Sequence, residues 1–221
     1  RDILRVKFLV GLFDEPYQTD LEGADKEVEK KENLEVALQS SRESLVLLKN
    51  EQNTLPLNLS EIKKIAVCGP NADESSYALS HYGPLAVDVV TVLQGIKNKV
   101  KDKAEVLYAK GCELVDDNWP ESELIDYPLT EQEKNEIDKA VANVNQADVA
   151  VVVLGGGQRT CGENKSRSSL ELPGRQLDLL KAVYATGKPV VLVLVNGRPL
   201  SINWADKFVP AILEAWYPGS K

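Results

Sequence analysis

Between Gly155 and Leu172 the chain reads GGGQRTCGENKSRSSLEL, an 18-residue stretch that gathers Arg159, Glu163, Lys165, Arg167 and Glu171. Four glycines (155, 156, 157 and 162) let backbone approach a ligand closely. Three chemistries fit such a stretch. Glycine-rich backbone can cradle a phosphate, but the glycine spacing does not match G-x-G-x-x-G. No G-x-x-x-x-G-K-[ST] occurs, and the following helical pattern begins far downstream. Alternatively, Glu163 is a catalytic or binding carboxylate presented on a loop. The plainest reading is a solvated loop in which Glu163 pairs with Lys165 or Arg167.

Other reactive side chains are few. The three cysteines, Cys68, Cys112 and Cys161, fit neither a disulfide framework nor a zinc site. The single histidine, His81, cannot build a metal cluster, and no G-x-S-x-G elbow accompanies it. No metal or cofactor is expected. Among the aromatics, Trp216 lies in a buried-strand pattern and is assigned to the core. Trp119, in the acidic segment Val115 to Glu123, is the better candidate for a surface or subsite contact.

The elements that must position these groups follow from periodicity. Residues 1–13 read as a short helix with Ile3, Leu4, Phe8 and Leu12 on one face, and residues 14–24 as a linker. Leucines spaced by three and four predict a helix over 25–49. Strands are then predicted at 64–69, 105–109, 148–154, 189–195 and 210–216. Helices are predicted at 92–100, 131–146 and 173–185. Thr130 and Glu133 form a capping-box pattern. Continuous β-branched strands alternating with helices imply an α/β fold: a mostly parallel, doubly wound sheet of about five strands, covered on both faces and preceded by a helical linker. Ligands of such sheets sit beyond the carboxyl ends of the strands, where the Glu163 loop lies.

Composition narrows function further. With 26 Lys+Arg against 34 Asp+Glu, the net charge of −8 argues against a nucleic-acid binder. The apolar runs at 149–154 and 190–195 are far short of the ~20 residues that span a bilayer. Met is absent and Arg stands at position 1, so the chain is expected to be a piece of a larger reading frame.

Several long motifs carry a resemblance. They are RESLVLLKNEQNTLPL (42–57), KIAVCGPNA (64–72), GENKSRSSLELPGRQLDLLKAV (162–183), TGKPVVLVLVNGRPL (186–200) and AILEAWYPG (211–219). In this order they resemble the C-terminal α/β-sandwich domain of family 3 glycoside hydrolases, the β-glucosidase and β-xylosidase family. Residues 3–17 look like the end of that family's N-terminal barrel. The resemblance implies residues 1–60 as barrel end and helical linker, and 61–221 as the sandwich domain. It implies a retaining, exo-acting β-glycosidase, most simply a β-glucosidase, whose nucleophilic Asp lies in an N-terminal (β/α)8 barrel outside this chain. Glu163 matches the general acid/base. Lys165 and Arg167 are candidate contacts to sugar hydroxyls, with a purely structural role equally open. Arg198 is read as packing the loop against its neighbour. The implied partners are a β-linked oligosaccharide or glycoside and the barrel itself, in a periplasmic or secreted enzyme, with the isolated chain inactive. A non-catalytic carbohydrate-binding domain of the same fold and a nucleotide-binding α/β module stay open.

Overall fold

Two uninterrupted apolar runs form the middle of one sheet, because alternate residues of each point to opposite covered faces. In β4 (Val149–Gly155), Ala150, Val152 and Leu154 enter one core, and Val149, Val151 and Val153 the other. The computed structural model describes residues 1–14, 20–28, 30–76, 88–124 and 127–220. His81 lies outside them, as do residues 15–19 of the expected linker.

The chain divides into two compact units, Arg1–Ser40 and Ser41–Lys221. The first holds α1 (Asp2–Leu9), α2 (Leu21–Val28) and most of α3 (Lys31–Ser44). None of the α1 residues is buried, and Ile3, Leu4, Phe8 and Leu12 are all exposed. The second unit contains β1 (Val46–Asn50), β2 (Lys64–Cys68), β3 (Glu105–Ala109), β4, β5 (Val190–Val195) and β6 (Ala211–Glu214). With them come α4 (Val92–Val100), α5 (Glu131–Gln146), α6 (Gln176–Tyr184) and α7 (Asn203–Phe208).

The six strands form one sheet in the order β1-β6-β5-β4-β2-β3. All neighbours are parallel except β1, which runs antiparallel to β6. One face is covered by α5, α6 and α7, through Ile137, Val144, Leu179, Leu180, Val183 and Ala205. Leu93 and Val100 of α4, with Leu55, Leu57 and Ile62, cover the other. The mostly parallel, doubly wound architecture is the one expected, with one strand more than the five counted.

The sixth strand corrects the helix expected over 25–49. The helical pattern is split between α2 and α3, and α3 ends at Ser44. Leu45, Leu47 and the β-branched Val46 suit a strand as well as a helix, and the free edge of β6 decides between them by supplying backbone partners. The helix expected from Pro173 starts later, at Gln176, after Gly174 adopts φ +59°. There a Cβ would also stand 3.1 Å from the Leu114 carbonyl oxygen. Trp216 is not core: it follows β6 with φ 55° and is 39% exposed. The capping box is present, with the Glu133 N–H donating to Thr130 Oγ1 (3.2 Å) and the Thr130 N–H to Glu133 Oε2 (2.7 Å).

Candidate functional site

Strand order reverses at β2, which pairs with β3 on one side and β4 on the other. The crevice beyond the carboxyl ends of β2 and β4 is therefore the topological switch point, the usual ligand position in an open α/β sheet. The Glu163 loop leaves β4 there. Its root is tightly knit to the sheet. Gly155 has φ +144°, and a Cβ on it would lie 2.0 Å from the Val195 carbonyl oxygen, so only glycine fits. Asn71, fully buried after β2, donates from Nδ2 to the Gly156 carbonyl (2.8 Å).

The three glycine amides at this root are all occupied by the chain itself. Gly155 N–H donates to Gln176 Oε1 (2.7 Å), Gly156 N–H to the Val195 carbonyl (2.9 Å), and Gly157 N–H to Thr160 Oγ1 (3.0 Å). A phosphate cradle needs such amides free to point at the ligand. This geometry removes the basis for the nucleotide reading.

Glu163 is exposed at the tip of a tight turn. It stands between Gly162 (φ +134°) and Asn164 (φ 60°), and the Lys165 N–H closes the turn onto the Gly162 carbonyl at 3.2 Å. Lys165 is exposed on the same turn, and its carbonyl accepts from Arg198 Nη2 at 2.8 Å. Arg198 thus ties the loop after β5 to the loop after β4, the packing role read for it from the sequence.

Arg167 turns inward instead. Its side chain is 3% exposed and its Nε donates to Glu123 Oε1 at 2.8 Å, where the Glu123 side chain is 6% exposed. Nη2 donates to the Glu171 carbonyl at 2.7 Å, and the guanidinium carbon lies 5.5 Å from the centre of the Trp119 ring. In this chain the guanidinium braces the loop, the structural one of the two roles open to it from the sequence. A local sequence cannot show this, because the partner carboxylate lies 44 residues upstream.

Glu123 also accepts from the Ser168 N–H (2.8 Å) and the Ser169 N–H (3.3 Å). Burial pushes its carboxyl up, but these amides and the Arg167 guanidinium outweigh it and hold the group below the usual carboxylate range. Trp119 belongs to the same brace, with Nε1 donating to the Arg159 carbonyl at 3.2 Å. Arg159 in turn donates from Nη2 to the Asp116 carbonyl at 3.1 Å.

Two further polar groups at this end of the sheet escaped the sequence reading. Gln176 is fully buried at the start of α6. Glu214, at the end of β6, accepts from Asn196 Nδ2 (3.2 and 3.1 Å) and from the Trp216 N–H (2.9 Å). Burial raises its carboxyl above the ordinary range against the pull of those two donors. Neither residue sits in a recognisable spacing; each is defined by what the sheet brings to it.

Residues 45–221 match the profile of the Glycosyl hydrolase family 3 C-terminal domain. The chain belongs to that family. It is 39% identical over 226 residues to a β-xylosidase of Formosa agariphila, covering 99% of this chain and 29% of that one. It is 40% identical over 235 residues to a periplasmic β-glucosidase of Salmonella typhimurium, covering 100% of this chain and 30% of that one. A solved β-glucosidase from Erythrobacter marinus superposes with a TM-score of 0.83 at 37% identity, over 99% of this chain and 31% of that one. The family 3 chain thus spans about a third of the length of these relatives. Among its described residues no group of three or more His, Cys, Asp or Glu is arranged to hold a metal ion. No described helix is long and apolar enough to cross a membrane. Cys68 and Cys112 are buried free thiols, and burial pushes the Cys68 thiol up to about 12, which leaves it protonated and unreactive.

Proposed function

We propose that this chain is the acid/base-bearing domain of a retaining, exo-acting β-glycosidase, most simply a β-glucosidase, and that Glu163 is its general acid/base. What carries the reading is the placement of Glu163 in a chain of this family. It is exposed at the tip of a braced turn in the loop that follows β4. A carboxyl group that must meet a sugar held by another domain has to project in this way. The relatives' names, β-xylosidase and β-glucosidase, supply the substrate class, a β-linked glycoside. The periplasmic relative supports an envelope or secreted location.

The chemistry needs two carboxyl groups roughly 5–5.5 Å apart across the glycosidic bond. A carboxylate of the barrel domain attacks the anomeric carbon while the protonated Glu163 gives its proton to the leaving oxygen, so the aglycone departs as an alcohol. Glu163, now a carboxylate, takes a proton from water, and the resulting hydroxide displaces the barrel carboxylate and releases the sugar. Lys165, exposed on the same turn, is placed to donate to a sugar hydroxyl.

The test is Glu163→Gln in the full-length protein. Turnover of an aryl β-glucoside with a poor leaving group should fall about 10²–10⁴-fold, the range for loss of a general acid/base. Azide should restore turnover on activated substrates by replacing water without needing a base. Retention of more than a tenth of the parental rate would sink the assignment, as would parental activity in the isolated 221-residue chain.

A further inference from the structure

Resting on the assignment of Glu163 as acid/base, we propose that Glu123 is a positioning residue for it, a buried carboxylate that fixes the loop on which Glu163 stands. The segment from Asp116 to Glu123 grips that loop on both sides of Glu163. On the near side, the Asp116 carbonyl accepts from Arg159 Nη2, and Trp119 Nε1 donates to the Arg159 carbonyl. On the far side, Glu123 accepts from three consecutive residues: Arg167 Nε, Ser168 N–H and Ser169 N–H. The span between these anchors is short, and Arg198 holds it at the Lys165 carbonyl.

The choice of a charged pair is informative. Two charges with side chains 3% and 6% exposed are costly to take out of water. Well-packed apolar side chains would stabilise the same place as well or better, so the pair is poorly explained by stability alone. A carboxylate does what apolar groups cannot. It accepts directional bonds from an arginine and two backbone amides at once, and so sets the register of residues 167–169 against residue 123. Glu163 lies four residues before Arg167, so that register reaches the turn that presents it. A displacement of about 1 Å at a reacting group can cost 10²-fold.

The experiment compares two substrates of the full-length protein, a dinitrophenyl β-glucoside and an alkyl β-glucoside. The first leaves without protonation and the second needs it. The readout is the ratio of their kcat/KM values, activated over alkyl, which does not depend on what fraction of the sample is folded. Glu123→Gln keeps the shape and removes the charge, and it should raise the ratio at least about tenfold over the parent. If that variant yields no folded protein, Glu123→Asp is measured instead, and a rise of about threefold is expected from its shorter reach. Glu163→Gln is the control. A raised ratio in the control with an unchanged ratio in the Glu123 variant overturns the positioning role alone. An unchanged ratio in the control sinks the acid/base assignment and the positioning role with it.

Discussion

Gln176 offers the sharpest stability test of how the loop root is built. It is fully buried and makes three bonds in three directions. Oε1 accepts from the Gly155 N–H (2.7 Å), and Nε2 donates to the Gly155 carbonyl (2.9 Å) and the Leu114 carbonyl (3.1 Å). Each such bond is worth about 1 kcal/mol net, but a buried amide or carbonyl left without a partner costs about 1–3 kcal/mol. Gln176→Ala strands the Gly155 N–H and weakens both carbonyls, and it opens a small void. The expected loss is about 3–5 kcal/mol, independent of pH. Gln176→Glu separates hydrogen bonding from size. One carboxylate oxygen still accepts from the Gly155 N–H, but the other now faces two carbonyl oxygens. The folded state therefore holds that carboxyl protonated, with its pKa above the unfolded value of about 4.3. A raised folded pKa means that the variant is least impaired below the unfolded value and loses stability as pH rises toward the folded one. The loss can reach about 1.4 kcal/mol per pH unit between them. Urea unfolding at pH 5 and pH 8 measures both effects. A cost under about 1 kcal/mol for Gln176→Ala, or equal impairment of Gln176→Glu at the two pH values, would refute this role for Gln176.

Two other outcomes follow from the same structure. The Glu214 carboxyl, raised by burial, contributes stability below its unfolded pKa and loses it as pH rises through the folded value. Glu214→Gln should therefore gain in thermal midpoint relative to the parent between pH 4 and pH 8, and a difference that stays constant over that range would contradict the burial of its charge. Thr130→Ala should cost about 1 kcal/mol in urea unfolding by removing the side-chain acceptor of the α5 cap, with Thr130→Ser recovering most of it.

Much of the sheet is legible in the chain. The runs at 149–155 and 190–195 are too apolar to be half-solvated strands, and both faces are covered in the structure. Thr130 and Glu133 announce the start of α5, and the structure shows both reciprocal bonds. The strand Val46–Asn50 is not legible, because Leu45 and Leu48 continue the helical spacing of Leu34 and Leu38. Its conformation is decided by pairing with β6, more than 160 residues away along the chain. Trp216 misleads for a related reason. An apolar residue beside a buried strand resembles core until the chain turns at φ 55° and leaves the sheet.

The candidate site divides along the same line. Motif order in the sequence selects Glu163, and the glycine-rich stretch around it marks a loop that must approach other groups closely. Which neighbours are free to meet a sugar is a tertiary matter. Arg167 and Lys165 are two residues apart and both cationic, and their spacing does not say which one turns inward. One is exposed on the turn and the other is buried against Glu123, because only the packed fold brings a carboxylate, an indole and two backbone amides to the same place. Periodicity is a local property of the chain, so it marks the five parallel strands and the helices that cover them, while the acid/base candidate comes from the family resemblance of the motifs. The partners of a buried charge are non-local, and only the sheet, by setting the loop after β4 beside residues 116–123, decides them.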